Sequence, residues 1–149
     1  MAATRTATVT WTGTLAEGSG TVSAGTSELF VDLPVSWASR TEAPEGRTSP
    51  EELLAAAHAS CFSMALAGAL ARAGTPPDHL HASATVTFDK VGDAWTVTRS
   101  ELDVVGTVAG IDEATFDAAA QATRDACPIS RALAGNVELS VSSTLEDEH

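Results

Sequence analysis

Basic residues are scarce in this chain: eight Lys and Arg stand against 20 Asp and Glu, giving a formal net charge of −12 at neutral pH. The basic residues are scattered and form no patch. The expectation is therefore no nucleic-acid partner and no anionic membrane surface, since a phosphate surface recruits clustered Lys and Arg. The acidic balance speaks mainly to solubility. An export leader is also missing from the reading of the N-terminus: "MAATRTATVTWTG" alternates Thr with apolar residues and holds no apolar run, so the expected location is cytoplasmic. Cysteine is nearly absent, with only Cys61 and Cys127. That excludes a disulfide framework and leaves two thiols that are inert, catalytic or metal-bound. Closely spaced metal-ligand pairs are lacking too. "HASC" stands alone, which disfavours a zinc site built from His58, Cys61 and Cys127 with His79 or His81. Repeats and linkers are missing as well, so 149 residues with 44% hydrophobic and 19% charged side chains read as one globular domain over residues 1–149.

The longest apolar stretch is "SPEELLAAAHASCFSMALAGALARAG", Ser49 to Gly74. Ser49 reads as N-cap, Pro50 as the first helical residue and Glu52 as the far side of a capping box. The helix is expected to run to about Ala73, where Gly74 and the following prolines stop it. Leu53 to Ala73 reaches transmembrane length. It is mostly Ala, however, and His58, Ser60, Ser63 and Arg72 interrupt it, so a buried central helix is the better reading.

Around this helix the pattern alternates. "ATVTWTGT" (residues 7–14) puts Val9 and Trp11 on one strand face. The Gly/Ser-rich run that follows reads as turns joining short strands, and residues 41–50 as a loop. "HASATVTFDK" and "WTVTRSELDVVGTV" form a hairpin about "VGD", with a bulge expected between Val97 and Leu102 where the apolar parity shifts. A second helix is expected over Asp112–Asp125 with Asp112 as cap, then "CPISRALAGN", then a closing strand "VELSVSSTL" and a solvated tail "EDEH". The class is α+β: an antiparallel sheet packed on a long central helix and a second helix.

Two thiols set the chemical question. A free thiol, with a pKa of about 8.5, is only a few per cent ionised at neutral pH. A working one needs a cation, a helix N-terminus or a hydrogen-bond donor. His58 lies three residues before Cys61 on the same helical face, and Arg40 in "WASRTE" is permanently charged. Cys127 precedes Pro128, which can open a short helix whose dipole favours thiolate. Glu51 is ten residues before Cys61, about 15 Å along one helix, so it reaches that thiol only from a second copy crossing antiparallel in a two-fold dimer. Plainer readings stand beside each of these. A buried cysteine can be a small hydrophobe, His58 a hydrogen-bonded core residue, Glu51 and Glu52 helix-start acids, and Arg40 a surface charge.

Together "TSPEELLAAAHASCFSMAL" and "CPISRAL", supported by "SRTE" and "WTGTLAEGSGTVS", resemble the OsmC/Ohr family of organic hydroperoxide reductases over nearly the whole chain. "AAHASCFSMAL" resembles the osmotically inducible (OsmC) branch more than the Ohr branch, which typically carries an aromatic residue where His58 stands. The resemblance implies an OsmC-like fold and an intertwined homodimer with interface active sites. It implies that Cys61 is the peroxidatic cysteine and Cys127 the resolving one. Arg40 would hold the thiolate and Glu51 would pair with Arg40. The implied activity is dithiol-dependent reduction of alkyl or fatty-acyl hydroperoxides through a Cys61 sulfenic acid and a Cys61–Cys127 disulfide, in stress protection, with no metal or other cofactor. Phe62 and Met64 are expected to offer an apolar wall to such substrates. The competing class is a non-enzymatic redox sensor or ligand-binding dimer using the same apolar cavity.

Overall fold

The alternating N-terminal threonines form strand β1 (Ala7–Thr12), which pairs antiparallel with β2 (Ser19–Ala24), and β2 pairs antiparallel with β3 (Leu33–Val35). The Gly/Ser-rich run thus closes a three-stranded sheet in the order β1-β2-β3. Gly20 stands opposite Trp11, and a Cβ there would come within 2.7 Å of the Trp11 ring. The indole therefore packs close to bare backbone, and its Nε1–H donates to the Gly13 carbonyl at 3.0 Å. A short helix the sequence pattern does not announce, α1 (Trp37–Thr41), follows β3. Its signal is a capping box in serines: Ser36 Oγ accepts from the Ser39 amide, and Ser39 Oγ accepts from the Ser36 amide. Five residues are too few to display helical periodicity.

These elements belong to the first of two compact units, Met1–Leu53 and Leu54 onward, in a computed structural model that describes residues 1–147. The last two residues of the expected solvated tail, Glu148 and His149, lie outside the described residues.

Helix α2 (Pro50–Arg72) starts where the caps predict. Ser49 Oγ accepts from the Glu52 amide at 3.1 Å, but the Glu52 carboxylate does not complete the box; it accepts from the Thr48 hydroxyl at 2.6 Å. By length and composition α2 is apolar enough to cross a membrane. Within the single chain its buried residues keep to one face. From Leu54 onward its buried residues are His58, Phe62, Leu66 and Leu70, one i, i+4 stripe, while Met64 is 74% exposed. The other apolar residues of the helix are half-buried or exposed.

The second unit adds a hairpin, β4 (His79–Val91) and β5 (Ala94–Thr107), closed by Gly92 at φ +62°. The bulge falls inside the predicted window: Thr87 pairs with Arg99 but Phe88 with Val97, leaving Thr98 extra. Asp112 caps α3 (Glu113–Ala126) through the Thr115 amide at 2.8 Å. After α4 (Pro128–Leu133), β6 (Glu138–Leu145) pairs with β5 in parallel. The α+β class holds, with two sheets instead of one and with one parallel pair. The α3–α4 segment between β5 and β6 is long enough to return the chain to the same end of the sheet. The core gathers Phe62, Leu66 and Leu70 of α2, Leu102 and Val104 of β5, Phe116 and Ala120 of α3, and Cys127.

Candidate functional site: two thiols and a clamped guanidinium

The four predicted site residues fall into two pairs, one in each unit. In the first unit Arg40 lies in the last turn of α1, and Glu51 is the second residue of α2. The loop between them is tied back locally. Ser39 Oγ donates to the Thr48 carbonyl at 2.7 Å, and the Thr48 amide donates to the Pro34 carbonyl at 3.0 Å. Arg40 Nη2 donates to Glu51 Oε1 at 2.6 Å, and its Nε lies 3.2 Å from both carboxylate oxygens. Glu51 is only 8% exposed, so this is a desolvated, multidentate pair of the kind that fixes a guanidinium in direction as well as place. The Trp37 ring lies under the guanidinium at 5.6 Å. Beside it opens a cavity of about 480 Å³ walled by Val9, Trp11, Leu15, Val22 and Val35. The predicted apolar face of β1 therefore does not fill a core; it lines this cavity, with Val9 61% exposed.

In the second unit the two sulfurs meet. Cys61 is half-buried on α2, and Cys127 is fully buried at the junction of α3 and α4, where it is the N-cap residue of α4. Both are free thiols, and they lie close enough that each shifts the ionisation of the other. Burial pushes the Cys61 thiol up, and its hydrogen bond to Cys127 and the Cys127 charge add to that, against one favourable bond from the Ile129 amide. Burial also opposes ionisation of Cys127. There the Ser130 amide, the Cys61 thiol, the Ser130 hydroxyl and the Ile129 amide together outweigh it, and the thiol lies below its ordinary pKa. The first turn of α4 thus acts as the anion-stabilising end that Pro128 predicts. Within this unit the second thiol, not the first, is the more acidic. Cys61 is the more exposed of the two.

His58 does not serve Cys61. Its ring is fully buried, with Nδ1 2.7 Å from Ser100 Oγ and Nε2 2.8 Å from Ser130 Oγ. Burial holds its pKa below the usual histidine value. Neither serine was singled out by sequence reasoning. Ser100 carried a signal nonetheless: it occupies the inward row of β5 with Leu102 and Val104, where a hydroxyl requires a partner. Among the described residues no three His, Cys, Asp or Glu side chains are grouped to hold a metal ion. The expected apolar wall is corrected too. Phe62 is 0% exposed inside the core, while Met64 is exposed near Ala119, Ala122 and Ala126 of α3.

Comparison with known proteins gives this arrangement relatives. The model of the family described as OsmC-like protein matches residues 43–142. The peroxiredoxin OsmC of Escherichia coli strain K12 is 40% identical over 129 residues, which cover 87% of this chain and 89% of that protein. Among solved structures, the organic hydroperoxide resistance protein OsmC of Legionella pneumophila aligns over 96% of this chain and 99% of its own, with a TM-score of 0.69 at 20% identity. The organic hydroperoxide resistance protein OhrB of Bacillus subtilis aligns over 95% and 98%, with a TM-score of 0.64 at 24% identity. At such identities these two structures speak to the fold.

Proposed function

Because the chain belongs to the OsmC-like protein family, we propose that it is a thiol-dependent peroxidase that reduces organic hydroperoxides to alcohols. The observation that carries this reading is the thiol pair: a half-buried Cys61 beside a buried, acidified Cys127. The peroxiredoxin name of the Escherichia coli relative supports peroxide as the substrate class.

In the proposed cycle the Cys61 thiolate attacks one peroxide oxygen. The S–O bond forms as the O–O bond breaks, alkoxide leaves as the alcohol, and Cys61 becomes a sulfenic acid. Cys127 thiolate then displaces hydroxide from that sulfur, giving the Cys61–Cys127 disulfide and water. An external dithiol, a lipoyl-type group or similar, restores both thiols by exchange. The electrons come from that dithiol, so the cycle calls on no metal or other cofactor.

Arg40 has two tasks in this proposal, holding Cys61 as thiolate and stabilising the departing alkoxide, with Glu51 aiming the guanidinium. The partner is a second copy. In a homodimer with α2 crossing its own copy, the Arg40–Glu51 clamp of one chain serves the Cys61 of the other. The half-buried and exposed apolar residues of α2, Met64 among them, give such a copy something to cover. The apolar cavity beside Arg40 suits an alkyl or fatty-acyl tail. The proposed setting is the cytoplasm, in protection against oxidative stress.

Initial rates test the reading. With a dithiol present, a lipid hydroperoxide is consumed faster than hydrogen peroxide, and Cys61→Ser abolishes both. A normal rate in Cys61→Ser excludes the thiol mechanism.

A further inference from the structure

Trp37 has no task in that cycle, yet its ring meets both parts of the first unit that the cycle uses. It is the first residue of α1, set by the Ser36–Ser39 capping box, and Arg40 follows three residues later on the same face of that helix. Arg40 Cζ lies over the Trp37 ring, 5.6 Å from its centroid. The same side chain, half-buried, lines the cavity of about 480 Å³ together with Arg40, Pro50 and Leu53. Among the described residues that line this cavity, only Arg40 is charged.

A carboxylate holds a guanidinium by its edge. The three Arg40–Glu51 contacts therefore fix where that edge points, and constrain tilt about the line joining the two side chains less. An aromatic face against the cation opposes such tilting, and its attraction grows as water is excluded from the contact. We propose that Trp37 is a positioning residue for the Arg40 guanidinium, and that a hydrocarbon tail seated in the cavity acts on Arg40 through this ring. This rests on the peroxidase reading above. The tail packs on the indole, keeps water from the cation–π contact and holds the ring in one rotamer. The guanidinium is then gripped by Glu51 and backed by Trp37 as the alkoxide departs. Binding energy from a part of the substrate remote from the breaking bond is expressed at the reacting centre, so it raises kcat and not affinity alone.

The rest of the cavity fits that occupant. Val9, Trp11, Leu15, Val22 and Val35 give it an uncharged wall. Val9 and Leu15 are 61% and 60% exposed, so a tail that covers them removes apolar surface from water. Glu51 is 8% exposed and does not line the cavity. Occupancy therefore reaches the guanidinium by direct contact or through Trp37, and not through the carboxylate that clamps it.

The test compares tert-butyl hydroperoxide with dodecyl hydroperoxide on the full-length protein. In Trp37→Leu, kcat/KM for the dodecyl compound is expected to fall on the order of 10-fold more than for the tert-butyl one, with part of the loss in kcat. Trp37→Phe, which keeps an aromatic face, should recover most of it. Loss of folded protein lowers both substrates alike and leaves their ratio untouched, so the ratio decides. A second arm needs no turnover. In protein that keeps Trp37 as its single tryptophan, by Trp11→Phe with Trp95→Phe, dodecanol should shift the indole emission to shorter wavelength. A folded Trp37→Leu protein with the wild-type ratio overturns the proposal. So does an emission that dodecanol leaves unchanged, the result expected if a second copy of the chain fills the cavity instead. If the wild-type protein consumes neither hydroperoxide, the peroxidase reading fails and the role of Trp37 falls with it, whatever the emission shows.

Discussion

Arg40 grips Glu51 at three close contacts: Nη2 to Oε1 at 2.6 Å, and Nε to each carboxylate oxygen at 3.2 Å. The pair joins the end of one short helix to the start of a long one, and the carboxylate is almost wholly withdrawn from water. A neutral side chain of the same shape keeps the contact but loses charge and symmetry. Glu51→Gln is therefore expected to lower kcat/KM for an organic hydroperoxide on the order of 10²-fold, comparable to losing one preorganised electrostatic contact. Steady-state kinetics with a circular-dichroism melt checks this, and an unchanged kcat/KM in a folded protein contradicts it.

His58 carries a prediction about stability. Burial lowers its pKa, so on acidification the unfolded chain takes up a proton at about 6.5 while the native ring does not. The unfolded state binds more protons there, and unfolding free energy rises with pH across that window. The wild-type urea midpoint should fall as pH drops below about 6.5, and His58→Gln should show a shallower fall over the same range. Parallel curves for the two proteins would remove the buried neutral ring from the account.

Gly106 is a packing constraint. A Cβ at this position would lie 2.5 Å from Phe116 Cζ and 3.0 Å from Leu80 Cδ2. Phe116 is fully buried and has nowhere to retreat. Gly106→Ala should destabilise the protein by about 1–3 kcal/mol, the usual range for overpacking. Adding Phe116→Leu should recover part of the loss. Urea denaturation of both proteins measures it, and a neutral Gly106→Ala contradicts the packing assigned to this position.

What the sequence made legible depended on whether a signal was local. Ser49 and Asp112 mark helix starts because their side chains cap amides three residues on, and Pro128 marks a third. The bulge at Thr98 was legible as a change of parity. Helix α1 was not, because five residues show no period. Nor was the parallel pairing of β6, since an alternating strand reads the same in either direction. The half-open state of α2 follows from how many surfaces one chain can bring to a helix, which apolarity alone does not reveal. Arg40, Glu51, Cys61 and Cys127 stood out by their chemistry, and motif resemblance supplied their roles. Ser100 and Ser130 meet His58 only through the fold, because partners 42 and 72 residues away leave no spacing to read.

The proposed cycle is tested most directly by intact-mass measurement of the reduced protein after one equivalent of an alkyl hydroperoxide. The account predicts loss of the two thiol hydrogens, with peptide mapping joining Cys61 to Cys127. In Cys127→Ser it predicts gain of one oxygen, on Cys61. An unchanged mass in the wild-type protein, or oxygen gained on Cys127 while Cys61 stays reduced, would contradict it.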